Sequence, residues 1–122
     1  MKILVTGASS GIGFELVKQL CAEHHEVFAT GRNKNKLTEL HQLTGCKFAS
    51  YDLTESQQVM DMFKQATEEL GGLDVLINNA GILKTPNTVT KDGLDIRFVV
   101  NTVAPYHLTR TLLPVIPKTG RI

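Results

Sequence analysis

The chain has 122 residues, 42% hydrophobic and 20% charged, with 13 basic residues against 12 acidic ones and a net charge of +1. That length predicts one domain over residues 1–122, burying roughly 65% of its unfolded surface without disulfide or metal staples. The near-neutral balance, with no basic run, excludes a nucleic-acid patch and a polybasic membrane anchor, and no apolar stretch has membrane-spanning or signal-peptide length.

In chain order, short apolar runs alternate with amphipathic segments. Ile3-Leu4-Val5 predicts a buried strand, and Ile12, Leu16, Val17 and Leu20 recur at helical spacing after it. Cys21 falls on the apolar side of that helix. Cys21 and Cys46 have neither disulfide-framework nor metal-ligand spacing, so both are expected as buried, reduced thiols in a cytoplasmic protein. Val27-Phe28-Ala29 predicts a second strand, with Leu37, Leu40 and Leu43 marking the next helix, and Lys47 to Tyr51 a third strand. Thr54 and Gln57 have the spacing of a capping box, opening a helix that turns Val59, Met62, Phe63, Ala66 and Leu70 inward. Gly71-Gly72 stops it before a fourth strand, Val75-Leu76-Ile77.

Residues 82 to 91 then predict a polar loop, followed by one long apolar helix from Asp92 to Val115 interrupted at Pro105. Gly120-Arg121-Ile122 predicts a turn entering another strand. Continuous apolar strands separated by helices predict an α/β fold of the Rossmann type. Its doubly wound parallel sheet is expected to be incomplete, in the order 3-2-1-4, ending as the fifth strand begins.

Between the first strand and its helix lies Thr6-Gly7-Ala8-Ser9-Ser10-Gly11-Ile12-Gly13. Glycines there permit a tight turn, let the main chain approach a pyrophosphate and let the helix pack close to the strand. The helix N-terminus adds unpaired N–H groups and the positive end of its dipole. After a strand and before an amphipathic helix, the pattern predicts a dinucleotide site. A NAD-type site ends strand two with a carboxylate for the ribose hydroxyls. Thr30-Gly31-Arg32-Asn33 has none. A guanidinium clasps a 2′-phosphate through paired, charge-assisted bonds, so Arg32 predicts NADP(H) in preference to NAD(H). Lys34 and Lys36 read first as solvated lysines.

The glycine turn, Asp52-Leu53 after strand three, Asn78-Asn79-Ala80-Gly81 after strand four, and Asn101 followed by Ala104 complete a pattern. In order and spacing it resembles the classical short-chain dehydrogenase/reductase family across essentially the whole chain. The resemblance implies an oxidoreductase that moves a hydride between a nicotinamide and a carbonyl or alcohol carbon. It puts Thr6, Gly7, Ser9, Ser10, Gly11 and Gly13 in the phosphate turn, with Ile12 under the nicotinamide. Ser10 stands where the family commonly has a second basic residue, a departure from the NADP pattern. The Asp52 side chain is implied at the adenine amino group, with a main-chain contact from Leu53. Asn79, Ala80 and Gly81 are implied along the ribose and nicotinamide side through main-chain groups. Asn101 is implied as the asparagine of the catalytic tetrad, holding a water in a proton relay. Read singly, Asp52, Asn78 and Asn79 also suit turns.

The family's reaction further needs a serine, and a tyrosine with a lysine four residues on whose charge lowers the phenol pKa. Tyr51 has Glu55 at that spacing, and Tyr106 has Arg110 but lies in the helix of Asn101, so neither is expected to act. His24, His25, His41 and His107 show no metal-ligand or triad pattern. The chain is therefore expected to be the N-terminal, cofactor-binding half of such an enzyme. Its expected partners are a nicotinamide dinucleotide and, in a complete protein, a small carbonyl or alcohol substrate. An uncovered helix and sheet edge also predict self-association or a homo-oligomer. A non-catalytic nucleotide-binding protein and a gene remnant stay open as alternatives.

Overall fold

The computed structural model describes residues 1–122. Strands β1 (Lys2–Val5), β2 (Glu26–Gly31), β3 (Lys47–Ser50) and β4 (Val75–Ile77) form one parallel sheet in the order β3-β2-β1-β4. Helices α1 (Gly11–Ala22), α2 (Lys34–Thr44) and α3 (Ser56–Leu70) make the crossovers. After β4 the chain forms α4 (Ile96–Phe98), a π-helical segment (Val99–Val103) and α5 (Ala104–Leu112). No helix is long and apolar enough to cross a membrane.

Alternation along each strand sorts the core into two layers. Ile3, Val5, Val27 and Ala29 pack with Val17 of α1 and with Leu37 and Leu40 of α2. Leu4, Phe28 and Leu76 face the other way, onto Met62 and Ala66 of α3 and Leu108 and Leu112 of α5. Both faces are covered, which is why the strands read as continuous apolar runs. Full burial of a side chain such as Leu108 contributes about 2 kcal/mol. Val5 pairs with Ala29 on one side and Ile77 on the other, so the loops leaving β1 and β4 emerge level with one another, while β2 runs two residues further, to Gly31.

Three local expectations are corrected. The capping box does not form: α3 starts at Ser56 with Glu55 as its uncapping N-terminal neighbour, and Gln57 Nε2 donates to Asp61 instead. Thr54 Oγ1 donates to Asp52 Oδ1 at 2.8 Å, because the short aspartate at the turn competes for local donors. The last helix starts at Ile96 rather than Asp92, capped by Asp95, whose Oδ1 accepts from Arg97 N–H at 2.8 Å. Upstream of that cap, Val89 bridges Asp95 in antiparallel fashion, and the Thr90 N–H donates to Leu94 O at 2.8 Å. Nor does Pro105 interrupt the helix. It sits in the first turn of α5, where the preceding π-helical segment absorbs its missing N–H.

At the chain's end the expected fifth strand begins. Arg121 bridges Val75 in parallel, its N–H donating to Asp74 O and its carbonyl accepting from Leu76 N–H, both at 3.0 Å.

Candidate nucleotide-binding site

The loops from the C-terminal ends of the strands enclose a cleft of about 320 Å³. One wall is the turn after β1, through Gly7, Ser9, Ser10, Gly11 and Ile12. Gly7 has φ +67°, and a Cβ there would stand 2.7 Å from Ala80 Cα, so both conformation and space demand glycine. Gly13 does not line the cleft. A Cβ on it would collide with Gly7 O and Asn79 Nδ2, so it sets how closely α1 approaches β1 and β4.

Thr6 is likewise a builder of the cleft and not part of its surface. It is buried, and its Oγ1 accepts from the N–H groups of Asn79 and Ala80 at 3.1 and 3.0 Å. Asn79 reciprocates through Nδ2, which donates to Thr6 O and Gly7 O at 3.0 and 3.1 Å. Its amide nitrogen thus holds the turn to β4, and Asn79, Ala80 and Gly81 line the cleft.

The N-terminus of α1 opens into the same space. Ser10 is its extended N-cap and makes no side-chain cap bond, and the N–H groups of Gly11, Ile12 and Gly13 have no protein partner. Unpaired donors at the positive end of a 12-residue helix suit a phosphate.

The far end is built by β2 and β3. Arg32 lies between the end of β2 and Asn33, the cap of α2, and its carbonyl is held by Ser50 Oγ at 2.9 Å. Its guanidinium has no carboxylate partner and donates to nothing in the protein. Asp52 borders the cleft with Oδ1 engaged by the N–H and hydroxyl of Thr54 and with Oδ2 free. Leu53 lines it beside Asp52. Tyr51 also lines the cleft, but its hydroxyl donates to Gln65 Oε1 of α3 at 2.6 Å. Burial, with the carboxylates of Asp61 and Glu69 nearby, pushes this phenol's pKa up, away from the ionisation a base requires.

Asn101 stands behind the cleft. Its Oδ1 accepts from Ile82 N–H and its Nδ2 donates to Ile82 O, both at 2.8 Å. The Ala104 N–H bonds to Val99 O, five residues back, and Pro105 has no N–H to give to Asn101 O. The Asn101 carbonyl therefore lacks its ordinary helical donor, whereas its side chain is occupied.

Thr30, Gly31, Tyr51, Ile82 and Val100 line the cleft without having been singled out by the sequence. All but Thr30 are next to a residue that was, so widening every motif by one position would find four of them and miss the second neighbour Thr30. No group of histidine, cysteine or acidic residues is placed to hold a metal.

The family model described as short chain dehydrogenase matches residues 1–122. The chain belongs to the short-chain dehydrogenase family. A short-chain dehydrogenase/reductase of Armillaria gallica is 34% identical over 119 residues, covering 92% of this chain, which spans only 38% of that relative. A blue fluorescent protein from a metagenomic library, solved with NADPH, superposes with a TM-score of 0.83 at 32% identity, over 99% of this chain and 53% of that one. The 3-ketoacyl-(acyl-carrier-protein) reductase of Brucella melitensis, solved with NADH, gives 0.81 at 27% identity, over 93% and 48%. Solved structures similar to this chain thus include one with NADPH and one with NADH.

Proposed function

We propose that this chain binds NADP(H) in preference to NAD(H) and forms the cofactor-binding half of an oxidoreductase acting on a carbonyl or alcohol. The observation that carries the preference is Arg32: a guanidinium at the end of β2 that forms no salt bridge with any carboxylate. A 2′-phosphate there gains charge-assisted bonds, whereas NAD(H) offers the guanidinium only a neutral 2′-hydroxyl.

The remaining residues fit the same molecule. The open N–H groups of Gly11 and Ile12 would hold the pyrophosphate, and Asp52 Oδ2 would accept from the adenine amino group. Gly7 keeps the main chain close enough for the phosphates to be reached. When bound, the nicotinamide supplies or accepts a hydride. Asn101 would position a water at its main-chain carbonyl, to which Pro105 has no N–H to donate, for proton transfer by groups other than Tyr51 and Tyr106, because neither has a lysine four positions on. The substrate follows from the rest of such a protein. Exposed Phe98, Tyr106, Leu113 and Val115 on and after the last helix support self-association, which sizing with light scattering would register as a mass above the monomer's.

Calorimetric titration with NADPH and NADH tests this reading. Saturable binding of both, tighter for NADPH, is the expected result, and failure to bind either would overturn it.

A further inference from the structure

Thr30 Oγ1 is the one buried side-chain polar atom in the protein that has no hydrogen-bond partner. The residue is 1% exposed, near the end of β2, two positions before Arg32, and it borders the cleft with Gly31, Arg32, Tyr51 and Asp52. Thr6, at the corresponding place after β1, shows the satisfied state: two N–H groups donate to its hydroxyl, which itself lies 3.4 Å from Ile77 O.

A buried hydroxyl without a partner opposes folding, whereas valine has the same shape, the same strand preference and no such cost. Threonine at this position therefore calls for a partner that the protein alone does not contain. Thr30 lines the cleft, and rotation about χ1 exchanges its hydroxyl and methyl between wells about 120° apart without main-chain movement. The end of the cleft that Thr30 borders is the end of Arg32 and Asp52, away from Ile82 and Val100.

We propose that Thr30 is a nucleotide-contacting residue, its hydroxyl turning to hydrogen-bond the adenosine part of the bound dinucleotide. This rests on the nucleotide reading above and adds a contact residue to it. The hydroxyl both donates and accepts, so it serves ribose oxygens and ring nitrogens alike.

The test compares wild type with Thr30→Val and Thr30→Ser. It reads Tm without nucleotide, and Kd for NADPH, adenosine 2′,5′-bisphosphate and nicotinamide mononucleotide. Thr30→Val is expected to keep or raise Tm while weakening NADPH and the bisphosphate about five- to ten-fold. The mononucleotide should be unaffected, and Thr30→Ser should retain most of the affinity. A Thr30→Val protein that binds NADPH as wild type does overturns the proposal. So does an equal loss for the mononucleotide, and so does a lowered Tm, which would mean that the hydroxyl has a structural partner. A wild type that binds no dinucleotide sinks the underlying reading, whereas a binding wild type with an indifferent Thr30→Val sinks only this one.

Discussion

Asn101 and Ile82 are joined by a reciprocal pair of hydrogen bonds, both 2.8 Å long, between one carboxamide and both main-chain groups of one residue. The pair ties the loop leaving β4 to the π-helical segment and so fixes Ile82, which lines the cleft, against Asn101. π-Helical turns recur at functional sites, and this one carries the asparagine that the family resemblance singles out. The Ile82 N–H is protected by that side chain alone. Asn101→Ala is expected to speed its hydrogen exchange markedly while costing about 1 kcal/mol of global stability. Amide-resolved exchange by NMR checks this, and an unchanged Ile82 rate would show that the clasp does not hold the loop.

Glycine is needed for different reasons along the phosphate turn. At Gly7 a Cβ meets the main chain of Ala80 and φ is positive, whereas at Gly11 φ is +54° with nothing within 4 Å. Gly7→Ala should therefore cost about 3 kcal/mol, and Gly11→Ala about 1 kcal/mol. Urea denaturation of both variants measures the difference. Equal costs would contradict the packing of β4 against the turn.

Both thiols are held in the neutral form. Burial pushes the Cys21 and Cys46 pKa values up, opposed only in part by the Thr44 hydroxyl. Their folded values lie above their unfolded ones, so the associated stability is complete below the ordinary thiol range and is lost as pH rises through it. Cys46, 4% exposed, should resist maleimide at neutral pH until the protein unfolds, with half-buried Cys21 reacting sooner. Mass spectrometry of labelled protein, with and without denaturant, reads the order. Fast native labelling of Cys46 would refute it.

The strands and the first three helices are legible in the sequence because both sheet faces are buried, which leaves unbroken apolar runs and clear helical spacing. The start of the last helix is not. Leu94 continues the apolar period, but Gly93, at φ +80°, and the Thr90–Leu94 hydrogen bond hold the main chain in a turn until Asp95 caps the helix. Pro105 reads as a break for a sound reason, yet a π-helical segment accommodates it, and nothing in residue spacing marks such a register change. In the cleft, Arg32, Asp52 and the glycines stand out by type. Thr6 and Asn79 also stand out, but their side chains serve each other and the turn. Thr30 is invisible at that level, since a β-branched residue in a strand looks like core until its hydroxyl is found without a partner.

The measurement that bears most directly on the central claim is the binding of NADPH and NADH to wild type and to Arg32→Ala. Loss of a guanidinium that clasps the 2′-phosphate should weaken NADPH roughly ten- to a hundred-fold and leave NADH nearly unchanged. Equal losses for the two cofactors, or undiminished NADPH binding, would contradict the assignment of Arg32 and with it the preference for NADP(H).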